Sequence, residues 1–234
     1  MSIVEQDNIK AICLDIDGTL YPKFQMNLRL ILTAFPNIKL GLSFNKVRKL
    51  YRSTQELEKP ITQDREGFLD KQAKIYLGKT NPTDKELDKV KNAINKQFYL
   101  AWEKSFMSIK AYDNMLLTLQ KAKDKGLKIA LLSDFPIAEK VQTLGLENIV
   151  DFAISSEETG YLKPSLNTFL QLSNGINIDP KNCIYFGDSY NKDIIGANNA
   201  GMKTLYISNK KDKAKFKKAN YICKDWYEIE SLLL

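Results

Sequence analysis

The sequence predicts an α/β fold in which a doubly wound parallel sheet is interrupted by a helical insert. From Tyr112 onward, short apolar runs alternate with helical segments, and such alternation is typical of a parallel sheet covered by helices on both faces. One more strand-like run, residues 11–14, stands near the start of the chain, and the stretch 22–110 that follows reads as almost wholly helical. We therefore expect residues 1–21 and 111–234 to form one core and residues 22–110 to form a separate all-helical unit.

The insert contains three predicted helices. Apolar side chains recur at a helical period over residues 43–58. A second helix is expected over residues 63–77, and Gly78 supplies its C-terminal stop. The four residues 83–86, Thr-Asp-Lys-Glu, form a capping box that opens a third helix continuing to Trp102.

The core is expected to supply four further strands after a helix that ends at Gly126. The strand-like runs are residues 129–132, 152–154, 183–186 and 204–207, with helices between them. A stretch at residues 209–220 contains six lysines. Aromatic residues are sparse there, so we interpret it as a solvated loop and surface helix and expect no nucleic-acid partner.

Composition excludes several kinds of site. The chain has 234 residues and no histidine. The absence of histidine excludes Ser-His nucleophiles and His-ligated zinc. Any metal must therefore be held mainly by oxygen ligands, which favours a hard cation such as Mg²⁺. The apolar runs are too short to cross a bilayer, and the first residues do not resemble a secretion signal. The three widely spaced cysteines, Cys13, Cys183 and Cys223, are expected to be buried free thiols in a protein of the cytoplasm.

The net charge of +7 is concentrated in the insert, where 18 basic residues face 9 acidic ones. All four arginines of the chain lie there as well. Arg48 and Arg52 are four residues apart and share a helix face. Two interpretations stay open: they bind a carboxylate or second phosphate of a ligand by bidentate hydrogen bonds, or they face solvent.

Two acidic residues follow the first strand directly, in the sequence Asp15-Ile16-Asp17-Gly18-Thr19. Residues i and i+2 of an extended backbone point to the same side, so Asp15 and Asp17 are expected side by side at the edge of the sheet. One can attack as a nucleophile while the other moves protons.

Polar residues also follow the later strands, at Ser133, Lys163, Asp188 and Asp193. The carboxyl ends of parallel strands meet at one edge of a sheet, and ligands bind in the crevice there. We therefore expect these side chains to share one pocket with the first two acids.

In these residues the sequence resembles the haloacid dehalogenase superfamily of hydrolases. The four motifs appear in order, as Asp15-x-Asp17-Gly-Thr, Ser133 after an apolar strand, Lys163-Pro, and Gly-Asp188-x4-Asp193. The resemblance covers residues 9–21 and roughly 110–208. It implies a Rossmann-like core, with the insert as a helical cap of the type called C1.

The resemblance also implies roles. Asp15 would attack phosphorus and form an aspartyl-phosphate, and Asp17 would protonate the leaving alkoxide and then activate water. Lys163 would neutralise charge and Ser133 would bind a phosphoryl oxygen. The Mg²⁺ ligands would be Asp15, Asp188 and the backbone carbonyl of Asp17.

The resemblance implies further contacts around these groups. Asp193 would orient Lys163 or a metal-bound water. Candidate substrate contacts are Gly18, Thr19, Asp134, Arg48 and Arg52. Asp134 departs from the family pattern, since many relatives have Asn there, and it either pairs with a basic residue of the cap or faces a loop.

The function expected is that of a Mg²⁺-dependent phosphatase for a small phosphorylated metabolite, acting as a monomer or homodimer. The stretch 15–22 is similar to the nucleotidase-like branch, and phosphoglycolate phosphatases are also similar. Asp17 argues against dehalogenation, because dehalogenases lack this second acid.

A sugar phosphomutase of the beta-phosphoglucomutase type is an alternative, although such mutases usually carry Glu-Asp where this chain has Gly187-Asp188. A non-catalytic binding protein on the same fold is the other alternative.

Overall fold

A computed structural model of the chain describes residues 2–25, 38–100, 106, 109–209 and 214–234. These residues contain a six-stranded parallel sheet whose strand order is β3-β2-β1-β4-β5-β6. The strands are β1 (Ala11–Leu14), β2 (Lys128–Ser133), β3 (Phe152–Ser155), β4 (Cys183–Gly187), β5 (Lys203–Ile207) and β6 (Tyr221–Cys223). This confirms the doubly wound α/β class.

The described helices are α1 (Ile3–Gln6), α2 (Ile38–Thr54), α3 (Arg65–Leu77), α4 (Asp84–Ile94), α5 (Met115–Asp124), α6 (Ala138–Thr143), α7 (Leu166–Gly175), α8 (Ile195–Asn199) and α9 (Trp226–Leu233). Helices α2 to α4 fall within the predicted insert, and the others accompany the sheet. Among the residues described, no helix is long and apolar enough to cross a membrane.

Strand β1 lies at the centre of the sheet and is buried on both faces. Its Ile12 side chain belongs to one apolar cluster and its Cys13 side chain to the cluster on the opposite face. Ile12 pairs with Ile129 of β2 and with Ile184 of β4. Burial on both faces explains why β1 is a continuous apolar run, without the alternation expected of a half-exposed strand.

The predicted boundaries of the insert helices are partly confirmed. Gly78 ends α3 in the left-handed conformation, with φ +61°, and the capping box at Thr83 opens α4 as expected. Helix α4 continues as a π-helical turn, Asn95–Tyr99, whereas the predicted end at Trp102 lies outside the described residues. The first insert helix is displaced toward the N-terminus relative to the prediction, because it begins at Ile38 and ends at Thr54.

The C-terminal region differs from the prediction. Strand β6 and helix α9 were not predicted from the sequence. The three residues of β6 are too few to show a hydrophobic period. In the lysine-rich stretch, residues 214–220 form turns without the expected surface helix. Phe216 is buried there, with its ring centroid 5.1 Å from that of Tyr190 and 5.0 Å from that of Tyr206. This aromatic contact fixes the turn against the end of the sheet.

Candidate active site

The carboxyl ends of β1, β2 and β4 surround a small crevice of about 70 Å³. Most of the charged residues that the sequence singled out line it. The lining residues are Asp15, Asp17, Lys23, Asp134, Phe135, Lys163, Asp188, Ser189, Lys192 and Asp193. The topology of a parallel sheet therefore brings together side chains that are up to 178 positions apart in the sequence.

Asp15 is buried and paired with Lys163. The Nζ atom of Lys163 lies 2.5 Å from Oδ1 of Asp15, and the Thr19 hydroxyl donates a hydrogen bond of 3.1 Å to Oδ2. Burial raises the pKa of Asp15 to about 6, although the positive charge of Lys163 acts to lower it. A buried carboxylate held by one lysine and one hydroxyl is well oriented to act as a nucleophile.

Asp193 also contacts Lys163, the residue that it is expected to orient. The Lys163 ammonium lies 2.7 Å from Oδ1 of Asp193, while Oδ2 of Asp193 accepts a 2.9 Å hydrogen bond from the backbone N–H of Ser189. Burial disfavours the charged form of Lys163, but Asp15 and Asp193 outweigh it and hold the pKa of the lysine well above its ordinary value. The lysine therefore remains a cation.

Asp17 is held by three donors from different parts of the chain. The Nζ atom of Lys140 lies 2.8 Å from Oδ1 and 2.7 Å from Oδ2. The Ser133 hydroxyl donates to Oδ2 at 3.0 Å, and the Tyr21 hydroxyl donates to Oδ1. Burial acts to raise the pKa of Asp17, but the adjacent Lys140 outweighs it and the pKa lies below its ordinary value.

Sequence reasoning missed Lys140 and Tyr21. Lys140 lies on α6 and is only 1% exposed, yet in the sequence it is one of many lysines on helices. The apolar context of Tyr21, directly after Leu20, was the one available signal for a buried hydroxyl near the acids. Ser133 donates to Asp17 and lies outside the residues that line the crevice, and its contact with a phosphoryl oxygen stays a prediction.

Three carboxylates could together hold a metal ion. Oxygen atoms of Asp15, Asp188 and Asp193 all lie within 4.8 Å of one another. A donor set made only of carboxylate oxygens fits a hard cation such as Mg²⁺. Lys23 also contacts this cluster, with its Nζ atom 2.9 and 3.2 Å from the two carboxylate oxygens of Asp188. The backbone carbonyl of Asp17 stays a predicted ligand.

Two glycines allow the acidic residues to approach the backbone closely. Gly18 has a φ of +104°, and a Cβ atom there would lie 2.3 Å from Oδ2 of Asp188. A Cβ atom at Gly187 would lie 2.3 Å from the Cβ atom of Asp193. Gly18 thus leaves room for Asp188, and Thr19 contacts Asp15, while the substrate contacts expected of these two residues stay predictions.

Arg52 and Asp134 connect the insert to the core. The Nη2 atom of Arg52 lies 2.5 Å from Oδ2 of Asp134, and its Nε atom donates to the backbone carbonyl of Lys163 at 3.0 Å. Burial acts to raise the pKa of Asp134, but Arg52 and Lys192 outweigh it and hold that pKa well below its ordinary value. Of the two alternatives for Asp134, the structure has the pairing with a basic residue of the insert.

Arg48 does not line the crevice. The two interpretations given above, that it binds a ligand or faces solvent, are both corrected by its contacts. It is 2% exposed and pairs with Glu157, with Nη1 2.5 Å from Oε1. Its Nη2 atom donates to the backbone carbonyl of Asp134 at 2.6 Å. The guanidinium also lies 4.2 Å from the ring centroid of Phe135. Arg48 therefore joins the insert to the core, because its hydrogen-bonding groups are committed there rather than to a ligand or to solvent.

The known proteins that this chain resembles in sequence are hydrolases, and several of them are phosphatases. The model of a family of hydrolases, described as haloacid dehalogenase-like hydrolase, matches residues 9–201. A glyceraldehyde 3-phosphate phosphatase of Methanopyrus kandleri is 30% identical over 205 residues, which cover 85% of this chain and 84% of that protein. A phosphoglycolate phosphatase of Psychrobacter arcticus is 33% identical over 101 residues, covering 42% of this chain and 44% of that protein.

The fold agrees with solved structures as well. The crystal structure of a phosphatase of the same superfamily from Thermococcus onnurineus superposes with a TM-score of 0.62 at 24% sequence identity. That match covers 96% of this chain and 97% of the other. At this level of identity the likeness shows the fold alone.

Proposed function

This chain belongs to the haloacid dehalogenase-like hydrolase family, and from that premise we propose that it is a Mg²⁺-dependent phosphatase acting on a small phosphomonoester. One observation carries the proposal. Asp15 and Asp17 lie together at the end of β1, and each is paired with its own buried lysine, Lys163 and Lys140 respectively. This arrangement supports two carboxylates with different tasks.

In the first step the Asp15 carboxylate attacks phosphorus, and an oxygen–phosphorus bond forms as the bond to the ester oxygen breaks. The leaving alkoxide takes a proton from Asp17, which enters this step in its carboxylic acid form. In the free protein this is the minor form, because burial acts to raise the pKa of Asp17 but Lys140 outweighs it and lowers that pKa. The alcohol departs and phosphate remains on Asp15. Lys163 stays charged beside Asp15 and offsets the negative charge that gathers on the phosphoryl oxygens.

In the second step water attacks the phosphorus of the aspartyl-phosphate. The Asp17 carboxylate accepts the proton of that water, and the bond between phosphorus and Asp15 breaks. Inorganic phosphate leaves, and both carboxyl groups return to their initial state. Asp193 maintains the position of Lys163 throughout, through the 2.7 Å contact.

The residues that would hold Mg²⁺ are Asp15 and Asp188, with Asp193 in the same acidic cluster. When bound, the ion would supply positive charge that stabilises the transferred phosphoryl group. Gly18 allows Asp188 to lie against the loop that follows β1.

The substrate is proposed to be short, with two or three carbons beyond the phosphate. The free volume of about 70 Å³ supports a small group, and the named relatives act on glyceraldehyde 3-phosphate and phosphoglycolate. Hydrolysis is favoured over a mutase reaction, because this chain has Gly187 where mutases of the beta-phosphoglucomutase type usually carry glutamate.

The test is turnover of p-nitrophenyl phosphate and of a panel of phosphorylated metabolites, with Mg²⁺ and with EDTA. We expect activity that requires Mg²⁺ and that prefers two- and three-carbon esters to nucleotides. Asp15→Asn should abolish turnover while leaving the circular dichroism spectrum unchanged. Robust turnover in EDTA, or by the Asp15→Asn variant, would contradict the mechanism.

A further inference from the structure

Lys140 is a buried cation that belongs to none of the four sequence motifs. Its side chain is 1% exposed, and burying an ammonium group is costly unless it is paired and hydrogen-bonded. The three oxygen atoms around its Nζ atom are Oδ1 and Oδ2 of Asp17 and the Ser133 hydroxyl, at 2.8, 2.7 and 3.2 Å. Its polar contacts are thus made to two residues of the candidate active site.

Two aromatic rings cover the ammonium group. Its Nζ atom lies 5.0 Å from the ring centroid of Phe106 and 5.7 Å from that of Phe135. Cation–π attraction favours this position, and the ammonium group is shielded from solvent, since the Lys140 side chain is 1% exposed whereas that of Asp17 is 17% exposed. A pair in such surroundings interacts more strongly than an exposed one, so the position of the ammonium group is well defined.

Lys140 is also the one donor among the described contacts of Asp17 that reaches both carboxylate oxygens. Ser133 contacts Oδ2 alone and Tyr21 contacts Oδ1 alone. Because Lys140 contacts both carboxylate oxygens and also the Ser133 hydroxyl that donates to Oδ2, it holds the carboxylate and this hydroxyl in one common arrangement. Lys140 does not line the crevice, whereas Asp17 does, so Lys140 would act on a substrate through Asp17.

We propose that Lys140 is a positioning residue for proton transfer. Together with the Ser133 hydroxyl, it holds the Asp17 carboxyl group in the orientation that faces the leaving-group oxygen. This inference rests on the proposed phosphatase function. It deepens that function by assigning the orientation of Asp17 to a lysine on α6 outside the motifs. Lys163 serves the nucleophile, and Lys140 serves the proton carrier.

Two substrates that differ in their need for a proton separate this role from a merely structural one. The p-nitrophenolate ion leaves without protonation, whereas the alkoxide of glycerol phosphate requires a proton. With enzyme in excess over substrate, a single turnover reports the first step alone. Misplacing a catalytic group by about 1 Å costs about 100-fold in rate, so Lys140→Met should slow release of glycerol by about that factor and release of p-nitrophenolate by far less.

Matched variants complete the test. Lys140→Arg keeps a cation able to contact both oxygens and should recover part of the lost rate. Lys71→Met removes a largely buried lysine of α3 whose ammonium contacts backbone carbonyls of the insert. It should lower the melting temperature without changing the ratio of the two rates.

The ratio of two first-order rates does not depend on how much protein is folded, so partial unfolding does not imitate the expected result. Lys140→Gln is measured in the same way if the methionine variant does not fold. An unchanged ratio in the folded variant would overturn the positioning role. Inactivity of the wild-type protein on both substrates, or full activity of Asp15→Asn, would instead overturn the proposed function.

Discussion

The guanidinium group of Arg48 on helix α2 lies 2.5 Å from the carboxylate of Glu157 in the turn that follows β3. Both side chains are buried, at 2% and 0% exposure, and Tyr99 donates a further hydrogen bond of 2.8 Å to the same carboxylate oxygen. This ion pair joins the helical insert to the loop that carries Lys163. It thereby connects the stability of the interface to the geometry of the active site.

Replacing Arg48 by methionine should destabilise the protein strongly, because it leaves the Glu157 carboxylate buried without its cation. Removing one partner of a buried pair costs about 3–5 kcal/mol, which urea unfolding at neutral pH would measure. The double variant Arg48→Met with Glu157→Gln should recover much of that loss, since no buried charge remains. A loss below about 1 kcal/mol in the single variant would contradict the importance of the pair.

Asp134 should make the stability of the protein depend on pH. Its pKa is held well below the ordinary value against the opposing effect of burial, chiefly by Arg52. A carboxyl group with a lowered pKa contributes stability that is complete above its unfolded pKa of about 3.9 and is lost as the pH falls through its folded pKa. Asp134→Asn should therefore cost about 3 kcal/mol at pH 7, and the cost should shrink as the pH falls toward about 2.5.

Urea unfolding of both proteins across that pH range measures the effect. Asp179→Asn is the control, since Asp179 forms an exposed ion pair with Lys181 and its replacement should change stability little across the range. A cost for Asp134→Asn that is equal at both ends of the range would show that the carboxylate charge is not what stabilises the interface.

Gly18→Ala should inactivate the enzyme by displacing Asp188. The added Cβ atom would lie 2.3 Å from Oδ2 of Asp188, so the carboxylate must move out of the acidic cluster, and a displacement of about 1 Å costs about 100-fold in rate. Gly126→Ala is a close control, because Gly126 also has a positive φ, +82°, but a Cβ atom there meets nothing within 4 Å.

Both glycine variants should therefore lose about 1–2 kcal/mol of stability from backbone strain, while Gly18→Ala alone should lose activity. Steady-state kinetics together with thermal unfolding separate the two effects. Equal activity of the two variants would mean that the close approach of Asp188 to Gly18 is not needed.

Lys23→Met should increase the affinity for Mg²⁺. The Lys23 ammonium contacts both oxygens of Asp188, so it competes with a metal ion for the same ligand. The pair is partly exposed, and such a pair contributes about 0.2–1 kcal/mol, which corresponds to an increase in affinity of up to about fivefold. Calorimetric titration with Mg²⁺ measures it, and Lys181→Met controls for the loss of one surface charge. Weaker binding by Lys23→Met would show that Lys23 supports the ion instead.

The order of the motifs along the chain was sufficient to predict most of the candidate site. Asp15 and Asp17 follow an apolar strand, and Asp188 follows another, so the rule that parallel strands end at one edge already placed them together. The same rule placed Lys163 in the pocket with Asp15, whereas its charge-neutralising role was implied by the family resemblance. These predictions depend on local features, such as strand ends and short spacings, that a sequence displays directly.

The predictions failed where burial depends on packing between distant elements. Arg48 was expected to face a ligand or solvent, and Lys140 was not singled out, although both are among the most buried charged side chains described. Helical periodicity shows which residues share a face, but it does not show what packs against that face.

By itself, then, the sequence determined the α/β class, the central strand β1 and the acids at its end, because apolar runs and their polar ends are written in consecutive residues. Only the tertiary structure determined that Lys140 holds Asp17 and that Arg48 holds Glu157. The physical reason is that an isolated buried charge is unstable. Each of these cations is therefore defined by its partner, and the partners lie 123 and 109 residues away along the chain.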